Sequence, residues 1–420
     1  MMRMQKKGRV LHLSLLLSLL LGLGLAMGGR APLRANAASP APPAYRVITP
    51  VGYDSQQFGS KQYAYAAYYN NTTYIYHLEE LYTQSDGWHY ADLTALTGAP
   101  PLYSVTRIAG YDSPQFGSKQ YAYVDSSDHV QELYYARVNG YWRWNDLTAL
   151  TGAPLVMRNE EESLIGFDSP QFGSKEYAYV AQNGHIIELA YWGNSWHVND
   201  LTALTGAPSP VGVMTLVGFD SPQYGSRQYA YLDSKYHLEE IYCRTNGCAV
   251  ADLTAFTGAP AAFPYTERTV SGFDSPQFGS KQYAYIDKNF HLQELFYARA
   301  NGYWSANDLT ALYQAPEPNL QFGMAGFASP QFGSKQYAYI DGQYHIDEVS
   351  YWSGTWHTTD LTALANANAD GQAEEVLGFA SPQFGSRQYG YIDTWTLDFE
   401  ETFFVSGTWY TVDLTQIAHP

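Results

Sequence analysis

The stretch from Gly272 to Ile286 reads GFDSPQFGSKQYAYI, and nearly the same fifteen residues recur along the whole chain. The seven copies begin at Gly52, Gly110, Gly166, Gly218, Gly272, Gly326 and Gly378. Their spacing is 52 to 58 residues, a period typical of propeller blades, solenoids or arrays. The repeat therefore decides the fold, and the length of 420 residues is a weaker guide.

Each repeat contains four predicted short strands separated by turns. In the fifth repeat they are RTVSGF (268–273), KQYAYID (281–287), HLQELFYA (291–298) and WSANDLTAL (304–312). Tyr, Val, Ile and Thr within them, and Gly, Asp, Asn and Pro between them, favour strands over helices. Seven such units predict an all-β fold, a seven-bladed β-propeller with four antiparallel strands per blade. An open array of small β-modules is the alternative, but one sheet of about fifty residues buries little apolar surface.

The N-terminus has the segment order of an export signal. Basic residues precede a leucine-rich run over 11–27, and Ala35-Asn36-Ala37 supplies a cleavage motif. We expect a signal peptide over 1–37, a short linker over 38–44, a single propeller over 45–420 and hence a secreted protein. An uncleaved membrane anchor is the alternative. The predicted blades cover about 45–100, 101–154, 155–208, 209–260, 261–316, 317–367 and 368–420.

The charge of the chain argues against two classes of partner. Removing residues 1–37 takes away six basic and no acidic side chains, which changes the net charge from −17 to −23. A surface this anionic repels phosphate backbones and anionic lipid headgroups. We therefore expect neither nucleic-acid binding nor membrane insertion.

The two cysteines, Cys243 and Cys248, lie in the segment IYCRTNGCAV. In an exported chain this spacing predicts a disulfide across a hairpin, because a metal site needs more ligands. If the two cysteines face each other, Glu239 faces Asp252 in the same hairpin, and His237 shares a sheet face with Asp252. The pair thus predicts the register of the last two strands in a blade.

Six histidines recur fifteen or seventeen residues before the aspartate of a D-L-T motif: His77, His129, His185, His237, His291 and His345. Such a group suits acid–base or metal chemistry, or a cluster in which the histidine ring bonds to the Asp carboxylate or the Thr hydroxyl. Repetition at equivalent positions favours the hydrogen-bonded cluster, since buried polar groups need partners in every blade. The last repeat has Asp398 in place of the histidine.

Segment 281–312, with its H-x-x-E-L and W-x-x-x-D-L-T elements, resembles the repeat of bacterial propeller lectins of the seven-bladed Photorhabdus type and the amplified propellers related to them. It is a more distant relative of the fungal fucose-specific lectins. The resemblance covers residues 46–419 and implies a soluble sugar-binding propeller with sites near blade junctions. The fungal group uses an arginine, a glutamate and an aromatic residue at each sugar, whereas the recurring cation here is usually a lysine. The resemblance makes fucose or a related sugar one candidate ligand.

Four repeated residue types are the candidate ligand-binding residues. The H-x-x-E glutamates are Glu80, Glu132, Glu188, Glu240, Glu294, Glu348 and Glu401. The tryptophans are Trp88, Trp142, Trp196, Trp304, Trp356 and Trp409, with Cys248 at this position in the fourth repeat. The loop aromatics include Phe116, Phe172, Phe278 and Phe332, and the cations that follow include Lys119, Lys175, Lys281 and Lys335. The cation is Lys61 in the first repeat and arginine at Arg227 and Arg387.

These residue types suit a sugar site, because rings stack on the C–H face of a sugar and polar groups bond to its hydroxyls. Consecutive antiparallel turns alternate between the two ends of a blade, so we expect Phe278 and Lys281 near Trp304. The loop DSPQFGS is longer than a strand connection needs, and any repeated binding role is expected there. The alternatives are that the phenylalanine closes the end of the blade, that the lysine is solvated and that the glutamate accepts hydrogen bonds from neighbouring backbone or side chains. Loss of the tryptophan at Cys248 predicts at most six equivalent sites.

Three functions are compatible with such a propeller. A multivalent lectin explains the repetition, because many weak sites give strong attachment to a dense glycan surface. A glycan-active enzyme needs two carboxylates in unequal environments, whereas the carboxylates here are repeated almost equally. A protein-binding scaffold is the remaining alternative, with variable connectors such as 158–163 as the contact surface. We expect the lectin, with no catalytic residues, metal or cofactor.

Overall fold

The first strand of each blade lies beside the first strand of the next blade. The first strand of the seventh blade lies in turn beside the first strand of the first blade, so that these seven strands form a closed ring. The computed structural model describes residues 46–68, 75–103, 107–158, 163–212, 215–264, 270–365, 373–393, 395–396 and 398–418. Within these residues there are seven antiparallel sheets, each with four strands, A to D, paired in chain order. The predicted seven-bladed β-propeller is confirmed. The predicted signal peptide and linker lie outside the described residues.

The inner two strands of each blade carry the GFDSPQFGSKQYAYI repeat. The A strands span Arg46–Ser55, Ala109–Ser113, Leu164–Ser169, Val217–Ser221, Ser271–Ser275, Met324–Ser329 and Ala373–Ser381. The B strands span Ser60–Tyr68, Ser118–Val124, Ser174–Val180, Ser226–Leu232, Ser280–Ile286, Ser334–Ile340 and Ser386–Asp393. Each connection contains a 3-10 turn: Gln56–Phe58, Pro114–Phe116, Pro170–Phe172, Pro222–Tyr224, Pro276–Phe278, Pro330–Phe332 and Pro382–Phe384.

The outer two strands form a hairpin. The C strands span Ile75–Gln84, Val130–Ala136, Ile186–Trp192, Leu238–Arg244, Leu292–Ala298, Ile346–Trp352 and Phe399–Val405. The D strands span Gly87–Asp92, Tyr141–Asp146, Ser195–Asp200, Gly247–Asp252, Tyr303–Asp308, Thr355–Asp360 and Thr408–Asp413. A two-residue strand, Leu102–Tyr103, also pairs with strand C of the first blade.

A short α-helix follows strand D, and it corrects one prediction. The helices span Leu93–Thr97, Leu147–Thr151, Leu201–Thr205, Leu253–Thr257, Leu309–Tyr313, Leu361–Ala365 and Leu414–Ala418. The fourth strand predicted over 304–312 was wrong in its second half, because strand D ends at Asp308. The Asp308 carboxylate accepts a hydrogen bond from the Ala311 backbone N–H at 2.8 Å and caps the new helix. No helix of the described residues is long and apolar enough to cross a membrane.

Strand B packs each blade on its neighbours. Tyr283 and Tyr285 are fully buried on one face, and Ala284 on the other face lies in one apolar cluster with Tyr337 and Tyr339 of the next blade. The alternation of large and small residues along strand B thus places a bulky face against a small face of the neighbouring blade, which gives the close packing that a folded core requires.

The glycine that opens each repeat is needed for this packing. A Cβ atom on Gly272 would lie 2.5 Å from Cδ1 of Tyr283 and 3.1 Å from the Phe219 ring of the preceding blade. A side chain at this position would therefore displace the buried aromatic rings. The opening glycines line a central channel of about 330 Å³.

The hairpin of the fourth blade has the predicted register. Cys243 pairs with Cys248, and Glu239 pairs with Asp252. The two cysteines form a disulfide bond. Both predictions from the cysteine spacing are confirmed.

Within the described residues, the ring closes without exchange of a strand between the first and last blades. Strands A to D of each of these blades come from one continuous segment. The Phe379 ring of blade 7 lies 5.4 Å from the Tyr63 ring of blade 1, centroid to centroid. Glu401 of blade 7 accepts hydrogen bonds from Lys61 and Tyr63 of blade 1. These contacts are the same as those between other neighbouring blades, so side chains close the ring.

Candidate functional site

A buried ion pair joins each blade to the next, and we name the junctions by blade number. At junction 4–5, Lys281 Nζ of blade 5 donates to Glu240 Oε1 of blade 4 at 2.6 Å, and the Tyr283 hydroxyl donates to the same oxygen at 2.7 Å. The Lys281 side chain is 8% exposed and the Glu240 side chain 2%. The equivalent pairs are Lys119–Glu80, Lys175–Glu132, Arg227–Glu188, Lys335–Glu294, Arg387–Glu348 and Lys61–Glu401. The glutamates therefore hold the blades together, as one of the two interpretations expected.

The predicted tryptophan lies beside this ion pair because of the strand register. Lys281 pairs with Tyr297 across strands B and C, and Tyr297 pairs with Trp304 across strands C and D. The three side chains consequently share one face, and Lys281 Nζ lies 5.2 Å from the Trp304 ring centroid. The same contact, at 5.1 to 5.3 Å, occurs in Lys61–Trp88, Lys119–Trp142, Lys175–Trp196, Lys335–Trp356 and Arg387–Trp409. The expected proximity of Lys281 to Trp304 is confirmed.

A second aromatic ring comes from the preceding blade, and the sequence analysis missed it. Lys281 Nζ lies 5.8 Å from the ring of Tyr242 in blade 4. The equivalent rings are Tyr82 over Lys119, Tyr134 over Lys175, Phe296 over Lys335 and Phe403 over Lys61. Each stands two residues after the junction glutamate, so the alternation of side chains along strand C could have revealed it.

The loop phenylalanines lie at a different junction from the one predicted. The Phe278 ring packs edge-to-face on Tyr351 of blade 6, with 5.4 Å between centroids. Lys281 instead has Tyr224, from the loop of blade 4, at 5.8 Å. The grouping of Phe278 with Lys281 and Trp304 was therefore wrong, because each loop reaches forward to the next blade. Phe116, Phe172 and Phe332 reach forward in the same way, to Tyr191, Arg227 and Phe404.

The polar groups of the DSPQFGS loop also bridge neighbouring blades. Ser221 Oγ and Gln223 Nε2 of blade 4 donate to Asp274 Oδ1 of blade 5 at 2.5 and 2.7 Å. Gln223 Nε2 also donates to the Ser280 carbonyl oxygen at 3.0 Å. Burial raises the pKa of Asp274 despite these hydrogen bonds. The loop is longer than a turn needs because it binds the next blade, which leaves these polar groups engaged within the protein.

The repeated histidines form the predicted hydrogen-bonded cluster. His291 Nδ1 lies 2.7 Å from Asp308 Oδ2, and Thr310 Oγ1 accepts from the Leu292 backbone N–H at 2.9 Å. The hydrogen bond to Asp308 raises the pKa of His291. The other pairs are His77–Asp92, His129–Asp146, His185–Asp200, His237–Asp252 and His345–Asp360. Each cluster joins strand C to the helix cap of its own blade.

Junction 1–2 contains a cavity of about 420 Å³ lined by this constellation, in which the Glu80 side chain is 1% and the Lys119 side chain 8% exposed. Glu80 and Lys119 line it together with Tyr82 and Trp142. Other lining residues include Phe58, Gln84, Ala91, Leu96, Tyr135 and Tyr141. A carboxylate and an ammonium group thus stand among aromatic and aliphatic side chains, in a volume typical of small-molecule sites. Such a cavity can bond to hydroxyls and stack on C–H groups at the same time.

No protein-family model matches the sequence, and neither does any curated protein. The structure is similar to the BP39L lectin from Burkholderia pseudomallei, with a TM-score of 0.56 and 14% identity over 87% of this chain and 98% of that chain. It is also similar to AofleA from Arthrobotrys oligospora, with a TM-score of 0.50 and 13% identity over 73% of this chain and 86% of that chain. At these identities the likeness shows a shared fold. Membership of the Photorhabdus-type group stays a prediction.

Proposed function

We propose that this protein is a secreted, multivalent lectin that binds sugars at its blade junctions. The observation that carries the proposal is the cavity at junction 1–2, which Glu80 and Lys119 line together with Tyr82 and Trp142, whose ring centroids lie 4.8 and 5.2 Å from Lys119 Nζ. A sugar needs both surfaces, because its hydroxyls require hydrogen-bond partners and its C–H face is apolar. The lectin named among the similar structures supports this proposal, although a fold alone does not define a function.

Repetition of the constellation supports multivalency. A glutamate, a cation and a tryptophan meet at six of the seven junctions in the described part of the chain, all except junction 3–4. Several weak sites on one ring raise the effective concentration of each for a dense glycan surface. The expected net charge of −23 after removal of residues 1–37 favours neutral glycans over polyanionic ones. Fucose is the first candidate, from the resemblance to the fungal fucose-specific lectins.

A glycan array tests the proposal directly. The protein spanning residues 38–420 is applied to the array, and bound protein is competed with free fucose, galactose, mannose and N-acetylglucosamine. We expect binding to a defined set of neutral glycans and its loss on competition with one simple sugar. Failure of the protein to bind any glycan on the array would refute the proposed lectin function.

A pair of tryptophan variants locates the sites. Trp142→Ala/Trp304→Ala removes the stacking ring at two junctions and is expected to weaken binding to the glycan surface at least tenfold. The matched control is Trp395→Ala, because Trp395 is 72% exposed and lies outside the junctions. Equal binding by both variants would place the sugar elsewhere on the ring.

Export is tested by expression of the full chain. We expect the protein outside the cytoplasm with a new N-terminus at residue 38. Retention in the membrane fraction with residues 1–37 attached would favour the anchor instead.

A further inference from the structure

One position on strand D differs among the junctions although the glutamate opposite it does not. The strand register pairs Glu80 with Ala91 and Glu132 with Asn145. The other pairs are Glu188–Asn199, Glu240–Ala251, Glu294–Asn307, Glu348–Thr359 and Glu401–Val412. The side chain at this position stands next to the carboxylate that holds the blades together.

Asparagine at this position occupies the second carboxylate oxygen. Glu132 Oε1 already accepts from Lys175 at 2.7 Å and from Tyr177 at 3.1 Å. Asn145 Nδ2 then donates to Glu132 Oε2 at 2.9 Å. Asn199 and Asn307 bond in the same way to Oε2 of Glu188 and Glu294, at 2.7 and 3.0 Å. In these junctions the amide stands where a sugar hydroxyl would have to donate.

Alanine leaves the second oxygen without a partner from the described residues. Lys119 and Tyr121 both donate to Glu80 Oε1, at 2.7 and 2.9 Å, and Glu80 Oε2 receives no hydrogen bond from that part of the chain. Glu80 and Ala91 both line the cavity of about 420 Å³. An unpaired carboxylate oxygen is costly unless water or a ligand bonds to it. Glu80 Oε2 can therefore accept a hydrogen bond from a ligand hydroxyl.

Junction 4–5 repeats this arrangement. Lys281 and Tyr283 both donate to Glu240 Oε1, and Ala251 stands opposite the glutamate. Among the described residues, no side chain donates to Glu240 Oε2. Trp304 supplies the stacking ring there.

The remaining two junctions offer no accessible second oxygen. At junction 6–7, Arg387 donates to Glu348 Oε1 at 2.9 Å and Tyr389 donates to Oε2 at 2.5 Å. At junction 7–1, Glu401 Oε2 is buried without a partner among the described residues, opposite the aliphatic Val412. Both carboxylates are thus closed to a ligand by different means.

We infer that the residue opposite the junction glutamate decides which junctions bind sugar. Ala91 and Ala251 leave junctions 1–2 and 4–5 competent, and a hydroxyl of a neutral sugar donates to the free Oε2 of Glu80 or Glu240. Asn145, Asn199 and Asn307 close their junctions by supplying the same donor from within the protein. The inference rests on the proposed lectin function and narrows it from six candidate sites to two, which keeps the protein multivalent.

Isothermal titration with methyl α-L-fucoside, or with the best simple-sugar competitor from the array, counts the sites. We expect about two sites per chain in the natural protein, none in Ala91→Asn/Ala251→Asn and about four in Asn145→Ala/Asn307→Ala. Both variants are built from residue combinations that the chain already uses at equivalent junctions. Unfolding midpoints within a few degrees of the natural protein would establish that they fold.

The outcomes separate the inference from the proposed function. Five or six sites in the natural protein, or two sites retained in Ala91→Asn/Ala251→Asn, would overturn the inference and leave the lectin intact. Failure of the natural protein to bind any sugar would overturn the lectin itself, and the inference with it.

Discussion

Junctions 3–4 and 4–5 are neighbours on the ring. They share the buried ion pair and differ in the side chains that surround it. Both have a buried glutamate of the leading blade that forms an ion pair with a cation of the following blade and accepts a hydrogen bond from its tyrosine hydroxyl. Junction 4–5 adds Trp304 beside the lysine and leaves one glutamate oxygen without a partner from the described residues. Junction 3–4 has Cys248 of the disulfide in place of the tryptophan, and Asn199 on the second oxygen.

The cation also differs between the two junctions. Arg227 lies 2.7 Å from Glu176 Oε1 and 3.3 Å from Glu188 Oε1, so one guanidinium contacts two buried carboxyl groups. Lys281 serves Glu240 alone among the described residues. The ion pair thus occurs at every blade junction and is part of the fold. The stacking tryptophan and the free glutamate oxygen occur only at some junctions, and the blades pack together without them.

The largest expected effect follows from removing the cation. Lys281→Met leaves the Glu240 carboxylate buried without its charge partner and should lower the free energy of unfolding by about 3–5 kcal/mol. Arg227→Met should cost more, because it leaves the Glu188 carboxylate without its charge partner and also removes the hydrogen bond that Glu176 Oε1 accepts from the guanidinium. Urea denaturation of the two variants measures the difference.

The matched control is the double variant Glu240→Met/Lys281→Met, which removes both charges and should recover most of the loss. Equal losses for the single and the double variant would contradict a role for the ion pair and point to packing alone.

An intermediate effect concerns pH at junction 3–4. Burial raises the pKa of Glu176 to about 8, despite the opposing effect of Arg227. The usual pKa of a glutamate is 4.5, so between pH 4.5 and 8 Glu176 is protonated in the folded state and ionised in the unfolded state. Stability should therefore fall as pH rises from 4.5 towards 8, by at most about 1.4 kcal/mol per pH unit, and level off above.

Glu176→Gln isolates this group, because the other six blades have glutamine at the equivalent position. The variant should lose part of the fall in stability that the natural protein shows between pH 5 and 8. Other carboxyls whose pKa burial raises, among them Asp112, Glu239 and Asp347, are shared by both proteins and cancel in the comparison. Parallel pH profiles for the two proteins would mean that Glu176 is ionised in the folded state.

The smallest expected effect concerns the disulfide. Cys243→Ser/Cys248→Ser opens a loop closed by a sequence separation of 5 and should lower the free energy of unfolding by about 2 kcal/mol. Sugar binding should be unchanged, because junction 3–4 lacks both the tryptophan and the free oxygen. A lower number of sites in the titration would show that the disulfide hairpin contacts the ligand.

The sequence by itself determined the features that depend only on residues within one repeat. The alternation of Tyr283, Ala284 and Tyr285 in the sequence separates a bulky face of strand B from a small one, and the spacing of Cys243 and Cys248 predicted the hairpin register. His291 and Asp308 could be paired from the same register. These predictions succeeded because strand pairing is local, with side chains that alternate with a period of two residues.

Only the tertiary structure decided what joins one repeat to the next. Lys281 bonds to Glu240 of the blade before it, Phe278 packs on Tyr351 of the blade after it, and the ring closes through Lys61 and Glu401. Nearly identical repeats offer each side chain an equivalent partner in its own blade and in both neighbours, so sequence spacing cannot choose among them. The packing of strand B places the cation against the preceding blade, and that choice decides where a free carboxylate oxygen can meet a sugar.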